Sequence, residues 1–247
     1  MIEVTPAVMA GVGTSALLIG FSKAGIGGSL GPLITVSAVI VLPPHVAVGL
    51  LLPLLIIGDV FSLGALWRKW SLREVGRLLP GMVIGVGAGT YLLAQVDSPL
   101  LARLLGLLML LFVAYWALEP RLTVLREYQA RRWHGYAAGS VAGLTSALAH
   151  SGGPPVAAYL LLQRVPPVPF VATTTFAFAI VNLIKVPAYV SAGLFDLELQ
   201  RQLAWAAALI PVGVLVGRLI VGRINRVLFH RLSVGLLACS GLYLLVA

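Results

Sequence analysis

Apolar residues fall into ten runs along the chain, each bounded by charged residues, prolines or glycines. The runs are residues 7–21, 32–42, 46–66, 80–96, 100–118, 136–149, 155–163, 170–192, 203–222 and 229–247. A helix rises about 1.5 Å per residue, so roughly 20 residues are needed to cross a ~30 Å hydrocarbon core. Six of the runs approach or exceed this length. The pattern therefore predicts an all-α polytopic membrane protein.

The remaining four runs are too short for ordinary spans, and they occur as two pairs. The pairs are 7–21 with 32–42, and 136–149 with 155–163. Within each pair the two runs are joined by a turn rich in glycine and proline, residues 22–32 in the first case and 150–155 in the second. We predict that each pair forms a re-entrant helical hairpin.

The two sets of five runs indicate an internal repeat. An offset of 123 aligns Pro32 with Pro155, Pro43-Pro44 with Pro166-Pro167, and Asp59 with Asn182, and an offset of 128 aligns Gly85 with Gly213. Matching Pro-Pro pairs and an in-register polar position make a chance alignment the weaker interpretation. The sequence predicts a first repeat at 1–118, a linker at 119–134 and a second repeat at 135–247, all within one membrane domain.

Loop charge indicates how the repeats are oriented. Connector 67–79 carries four basic residues and one acid, whereas its counterpart at 193–202 carries one basic residue and two acids. The bias is reversed at the next connector, since 97–99 has one acid and 218–231 has four arginines. Equivalent loops therefore face opposite sides by the positive-inside rule, as in an inverted repeat. We expect the basic linker 119–134 to be cytoplasmic and both termini to lie outside.

Composition agrees with a membrane location and excludes several classes of protein. The chain is 60% hydrophobic and 10% charged, with a mean hydropathy of +1.01. A polar surface cannot cover that composition in water, which argues against a soluble enzyme, a nucleic-acid binder or a disordered chain. The net charge of +9 is explained mostly by the basic loops. One cysteine, Cys239, permits neither a disulfide nor a cysteine cluster, and no metal or organic cofactor is implied.

The start of the chain has no basic region of the kind that precedes a signal peptide's apolar core. Glu3 is the only charged residue before Lys23. We therefore expect the first apolar run to belong to the mature protein.

Both Gly/Pro turns have features of an anion site. In each, glycines are followed by a proline at the expected first helical position, where its missing N–H costs nothing. The next half-helix would direct free N–H groups and its positive dipole end toward the turn. Predicted binding residues in the turns are Gly27, Gly28, Ser29, Ser151, Gly152 and Gly153.

Polar side chains near the turns are few. Lys23 would face an anion, a carboxylate or water if its turn stops inside the membrane; the alternative is a lysine that extends to the cytoplasmic edge. His150 begins the second turn and could supply positive charge, or it could be a hydrogen-bonded core residue. Asp59 lies deep in run 46–66, where it could organise Lys23, carry a coupling proton or form a helix-packing hydrogen bond.

Run 170–192 contains three further candidates for coupling or site organisation. Asn182 is the repeat counterpart of Asp59, and Thr174 lies in a run of three threonines that could line a pore or bond back to their own helix. Lys185 is far enough along the run that extension to the outer edge is the favoured interpretation. The glycines Gly85-x-Gly87-x-Gly89 and Gly213-x3-Gly217 favour close helix packing.

The motif set resembles that of the TauE/SafE sulfite exporter family of bacterial membrane permeases. The resemblance rests on Gly25-x-Gly27-Gly28-x2-Gly31-Pro32, on Ser151-Gly152-Gly153-Pro154-Pro155 and on Pro-x2-Ala-Val-Gly at 44–49, and it extends over essentially the whole chain. It implies export or uptake of sulfite, sulfoacetate or another small sulfur-containing or organic anion across the bacterial cytoplasmic membrane.

The expected function is a secondary transporter in which inverted repeats alternate access to a central anion site. The expected partners are a small anion and membrane lipid, with a homo-oligomer left open. A channel or cation permease is an alternative, although Asp59 is the only acid within a run. An intramembrane hydrolase is disfavoured, since adjacent His150 and Ser151 cannot form a dyad with each other. We expect no enzyme activity and no catalytic residues.

Overall fold

The computed structural model describes residues 3–23, 30–122, 131–220 and 226–246, and within those ranges the chain is helical and has no strand. Helices of the first half are α1 (Pro6–Lys23), α2 (Gly31–Val39), α3 (Pro44–Ala65), α4 (Leu72–Gln95) and α5 (Ser98–Leu122). Those of the second half are α6 (Arg132–Ala149), α7 (Gly153–Leu162), α8 (Pro167–Ser191), α9 (Leu197–Gln202), a 3-10 helix (Ala204–Ala208), α10 (Leu209–Ile220) and α11 (Arg226–Val246). The all-α prediction is confirmed.

Among the described residues, five helices are long and apolar enough to cross a membrane: α1, α3, α4, α5 and α8. The first of these differs from the sequence prediction, because α1 extends run 7–21 at both ends to 18 residues, or about 27 Å. Helices α2 and α7 have 9 and 10 residues, about 14–15 Å, which is half of what a span needs. The re-entrant form of the two hairpins stays a prediction.

Helix α4 begins at Leu72 and not at residue 80, where its apolar run starts. The added turns contain Glu74 and Arg77, which form an ion pair with N···O 3.0 Å. The hydroxyl of Tyr159, in α7, donates to the Glu74 carboxylate at 2.6 Å. These contacts satisfy the charges of a buried Glu74 and let the helix continue through a polar stretch.

Run 203–222 is divided between the 3-10 helix and α10, although its sequence is apolar as far as Arg218. Before it, α9 starts at an N-cap, where the Asp196 carboxylate accepts from the Leu199 backbone N–H at 2.9 Å. Trp205 of the 3-10 helix lies against Gly13 of α1, where a Cβ would be 3.2 Å from the ring. The counterpart region of the first half, α4, has no such break.

Glycines let α4 and α6 approach until their backbones touch. A Cβ built on Gly81 or Gly85 would lie 2.0–2.1 Å from a carbonyl oxygen of α6, and one on Gly139 or Gly143 would lie 2.1–2.2 Å from one of α4. Gly87, between the contacting positions of α4, faces open space. Small residues allow this close packing in membrane helices.

Helices α1 and α10 form a second pair of the same kind. A Cβ on Gly20 would meet the Ile210 carbonyl oxygen at 2.1 Å, and one on Gly213 would meet that of Leu17 at 2.3 Å. The close-packing prediction is confirmed for Gly85, Gly89 and Gly213.

Buried apolar side chains form two cores. The larger core is formed mainly by α1, α2, α3, α5, α10 and α11, and the smaller core by α4, α6, α7 and α8. The larger core also takes in Leu93, Leu148, Ala149 and Tyr189 near the ends of α4, α6 and α8. Where the two cores meet, α3 packs against α8. The candidate site lies along this boundary.

Candidate functional site

A small cavity of about 40 Å³ lies between the two cores. The lining residues from the first half are Ser22, Lys23, Gly31, Ile34 and Leu55. Those from the second half are Ser146, His150, Gly153, Phe178 and Asn182. Each half thus contributes five residues to the same space.

Four helix ends surround this cavity. Lys23 is the last residue of α1, and His150 directly follows α6. Gly31 and Gly153 are the first residues of α2 and α7, and neither of these helices has a side-chain hydrogen bond at its N-cap. The N-terminal N–H groups of a helix carry partial positive charge and lack partners within the helix. The cavity therefore combines two helix N-termini with the ends of α1 and α6.

Asp59 is buried and binds two side chains through its two oxygens. Lys23 Nζ donates to Oδ1 in an ion pair, and Asn182 Nδ2 donates to Oδ2 at 2.7 Å. The side chain of Lys23 is 11% exposed and that of Asp59 is 4% exposed, so the pair is shielded from solvent. The expected contact between Asp59 and Lys23 is thus present. Asn182, aligned with Asp59 by the repeat, lies directly against it.

The turn at His150 has an uncommon backbone. His150 adopts a left-handed conformation, φ 50° and ψ 27°, which side chains other than glycine rarely occupy. Its N–H donates to the Ser146 carbonyl at 3.0 Å, and the Ser151 N–H donates to the Thr145 carbonyl at 3.2 Å. The bond from His150 to Ser146 ends α6 in an αL C-cap. Gly31 packs here so closely that a Cβ would be 2.2 Å from the His150 carbonyl oxygen.

The imidazole of His150 is held on both sides. Its Nε2 lies 3.0 Å from the Val48 carbonyl oxygen, and its Nδ1 lies 2.9 Å from Lys185 Nζ. An amine or ammonium donates to Nδ1, so the ring proton belongs on Nε2, which donates to Val48. The ring is therefore a hydrogen-bonded core group that also lines the cavity, and a role for His150 in anion binding stays a prediction.

Lys185 corrects the expectation of a side chain extending to the outer edge. Its exposed fraction is 0%, and Nζ also donates to the carbonyl oxygen and to Oγ of Ser146, each at 3.2 Å. The Tyr189 ring lies 5.9 Å from Nζ. Lys185 thus lies behind His150, against the end of α6. The position of Lys185 within its apolar run gives its depth along the helix. It does not show that Ser146 and His150 would accept hydrogen bonds from the ammonium group.

The other predicted residues divide into three groups. Gly153 lines the cavity, whereas Gly152 packs against Phe178, and Ser151 is buried with its hydroxyl donating to the Ala149 carbonyl at 2.7 Å. Thr174 bonds back to the Phe170 carbonyl of its own helix at 2.9 Å. Gly27, Gly28 and Ser29 lie outside the described residues.

Six lining residues were missing from the predicted site residues: Ser22, Gly31, Ile34, Leu55, Ser146 and Phe178. Ser22 precedes Lys23, and Ser146 lies one turn before His150, so proximity to the predicted turns was an available signal. Phe178 carried none, because a phenylalanine in an apolar run is ordinary. In the described part of the chain, no three His, Cys, Asp or Glu side chains form a group that could hold a metal ion.

Comparison with known proteins identifies the family. A family model described as Sulfite exporter TauE/SafE matches residues 12–244, which is nearly the whole chain. No curated protein and no solved structure matches. The match includes both halves of the cavity and every residue that contacts Asp59 or Lys185. This chain therefore belongs to the TauE/SafE sulfite exporter family of membrane transporters.

Proposed function

We propose that the chain is a secondary transporter that moves a small anion, sulfite or a related sulfur-containing or organosulfonate anion, across the cytoplasmic membrane. The observation that carries the proposal is the cavity between the two cores, where the ends of α1, α2, α6 and α7 meet. Two helix N-termini supply positive potential there, and Lys23, whose charge is balanced by Asp59, supplies N–H donors. An anion of few atoms suits such a site, because short oxygen-bearing groups can accept from several donors at once.

The proposed anion position is between the start of α2 and the start of α7. Gly31 and Gly153, the first residues of these helices, line the cavity, and their backbone N–H groups would donate to the anion. Lys23 would contribute its remaining N–H donors while Asp59 and Asn182 hold it in place. Phe178, Ile34 and Leu55 would exclude water from the bound anion's other faces.

We further propose that two inverted repeats alternate access to this site. Support comes from the helix pairings: α4 packs on α6, and α10, the counterpart of α4, packs on α1, the counterpart of α6. This exchange is what a two-fold relation between the halves requires. The boundary between the two apolar cores is the surface on which relative movement would open the cavity to one side or the other.

Reconstituted transport tests the proposal. The purified chain in proteoliposomes should release trapped sulfite down its gradient, with a rate that saturates with concentration. Lys23→Met should reduce the rate at least tenfold. Lys69→Met is the matched control, because Lys69 is exposed in the loop after α3 and should leave the rate unchanged.

Two outcomes contradict the proposal at different levels. Failure of the unmodified chain to move sulfite, thiosulfate or any small sulfonate would overturn the substrate class. Normal sulfite flux in Lys23→Met would overturn the position of the site while leaving the substrate class intact.

A further inference from the structure

Lys185 is a buried cation without a carboxylate partner among the described residues. The ion pairs formed there are Lys23–Asp59, Arg77–Glu74 and Arg201–Glu198. Lys185 Nζ instead contacts three neutral acceptors: the carbonyl and hydroxyl of Ser146 and the imidazole of His150. A buried ammonium with no opposite charge is unfavourable unless a charge is supplied from elsewhere.

Geometry limits how much charge Lys185 and His150 can carry together. With 2.9 Å between Nζ and Nδ1, one atom must accept the hydrogen bond of the other. An ammonium beside a doubly protonated imidazole would place two donors against each other. The pair therefore holds one positive charge, or none after Nζ loses a proton, and a neutral amine can keep the same contacts.

Charged groups on the surrounding helices leave that charge uncompensated. The titratable and charged groups on the elements that pack around the pair are Lys23, His45, Asp59, Arg73, Glu74, Arg77, Tyr91, Arg132, His134, Tyr136, Tyr159 and Tyr189, of which Arg73 and Tyr91 are exposed. Asp59 and Lys23 form an ion pair with no net charge, and so do Glu74 and Arg77. Tyr189 donates to the Ala147 carbonyl at 2.6 Å, and His45 lies 3.1 Å from the Ser98 hydroxyl. Arg132, His134 and Tyr136 belong to the first turns of α6, at the opposite end from Ser146.

The cavity therefore has a net charge of +1 when Lys185 is protonated. His150 lines the cavity and directly contacts Lys185, so a bound anion would lie one side chain away from the ammonium. One negative charge brings the site to neutrality, whereas two leave an excess negative charge in a low-dielectric region. When the anion leaves, the Lys185 ammonium again lacks an opposite charge, and this favours loss of its proton.

We propose that the Lys185–His150 pair makes the site selective for singly charged anions and that one proton binds at Lys185 Nζ with each anion. This rests on the anion-transport function proposed above and adds to it the substrate's charge and the coupling ion. The transported unit would then be electrically neutral. No covalent step is involved: the proton adds to the amine lone pair as the anion enters and leaves with it.

A permanently charged probe separates the protein's proton from the ligand's own. Methanesulfonate stays a monoanion across the neutral range, so pH changes in weak buffer during its binding report protonation of the protein. We expect uptake of close to one proton per anion at alkaline pH. The apparent affinity, followed by tryptophan fluorescence, should fall about tenfold per pH unit where Lys185 is deprotonated. Sulfate, a dianion, should bind at least tenfold more weakly.

The test variant is Lys185→Met and the matched control is Lys69→Met. Each replaces one of the chain's three lysines. Lys185→Met should weaken methanesulfonate binding at least tenfold and remove its pH dependence. Lys69→Met should behave like the unmodified chain. If Lys185→Met does not fold, the pH dependence and the sulfate comparison on the unmodified chain still decide the matter.

Different results distinguish the two proposals. Tight binding of methanesulfonate with no proton uptake and no pH dependence would overturn the proton coupling. Tighter binding of sulfate than of methanesulfonate would overturn it as well. In both cases the proposed anion transport would stand. Absence of a response to methanesulfonate, sulfite and sulfate alike in the unmodified chain would overturn the anion function and the coupling together.

Discussion

At the scale of single residues, Asp59 holds two side chains from different helices. One oxygen receives Lys23 of α1 and the other receives Asn182 of α8, so the carboxylate joins three helices across the boundary of the two cores. Both acceptor sites are occupied, which makes the orientation of the carboxylate and the position of Lys23 mutually dependent.

Exchanging the two polar residues tests this arrangement. Asp59→Asn should lower the free energy of unfolding by about 1–3 kcal/mol, because Lys23 loses its carboxylate in a shielded position. Asn182→Asp should also destabilise, since it places a second carboxylate against Asp59. The double variant restores one acid and one amide, and we expect it to be more stable than either single variant in thermal unfolding in detergent.

The double variant is the decisive measurement. If its loss of stability equals the sum of the two single losses, Asp59 and Asn182 act independently and the proposed coupling through the carboxylate is wrong.

The residues of this site differed in how far sequence could predict them. A carboxylate deep in an apolar run needs a partner, so Asp59 and Lys23 could be connected before the fold was known. Lys185 could not be placed, because its partners Ser146 and His150 come from a turn whose left-handed backbone no sequence pattern specifies. Phe178 could not be predicted, because a phenylalanine within an apolar run has no feature that distinguishes it from its neighbours.

At the scale of helices, run boundaries were predicted well where the chain meets proline and poorly where charge interrupts it. Helices α3 and α8 begin at Pro44 and Pro167, close to the predicted runs. The start of α4 was missed because Glu74 and Arg77 suggest a loop, whereas their pairing with each other and with Tyr159 neutralises them. The break before α10 has no apolar-to-polar change that would mark it.

Glycine contacts between α4 and α6 give an element-scale prediction. Gly85→Ala should destabilise the protein by about 1–3 kcal/mol, because the new methyl group would meet the Ser140 carbonyl oxygen at 2.1 Å and the helices would have to separate. Gly87→Ala, two residues along the same helix, has open space and should change stability by less than about 0.5 kcal/mol. Thermal unfolding of the purified variants measures both effects. Equal stability of the two variants would show that backbone contact does not hold α4 to α6.

At the scale of the whole molecule, the proposed two-fold relation has a consequence for sidedness. The loop after α3 carries Arg68 and Lys69, whereas α9, in the corresponding connection of the second half, carries Glu198 beside Arg201. Inverted repeats place these two connections on opposite faces of the membrane.

Cysteine labelling in intact cells tests that sidedness. On a Cys239→Ser background, Glu198→Cys should react with a membrane-impermeant maleimide added from outside. Lys69→Cys should react only after the membrane is broken. Both positions are exposed, so a difference between them reports the side of the membrane rather than burial. Labelling of both from the same side would exclude the inverted arrangement.

The contact between Asp59 and Asn182 joins residues separated by the same interval, 123, that aligns the two halves. If the two halves had identical sequences, this contact would bring two identical side chains together. Two aspartates would repel there, and two asparagines would leave Lys23 without an anion. The acid therefore belongs to one half only. Under the alternating access proposed above, the inward-facing and outward-facing states are then not related by symmetry, so we expect the empty chain to favour one side of the membrane.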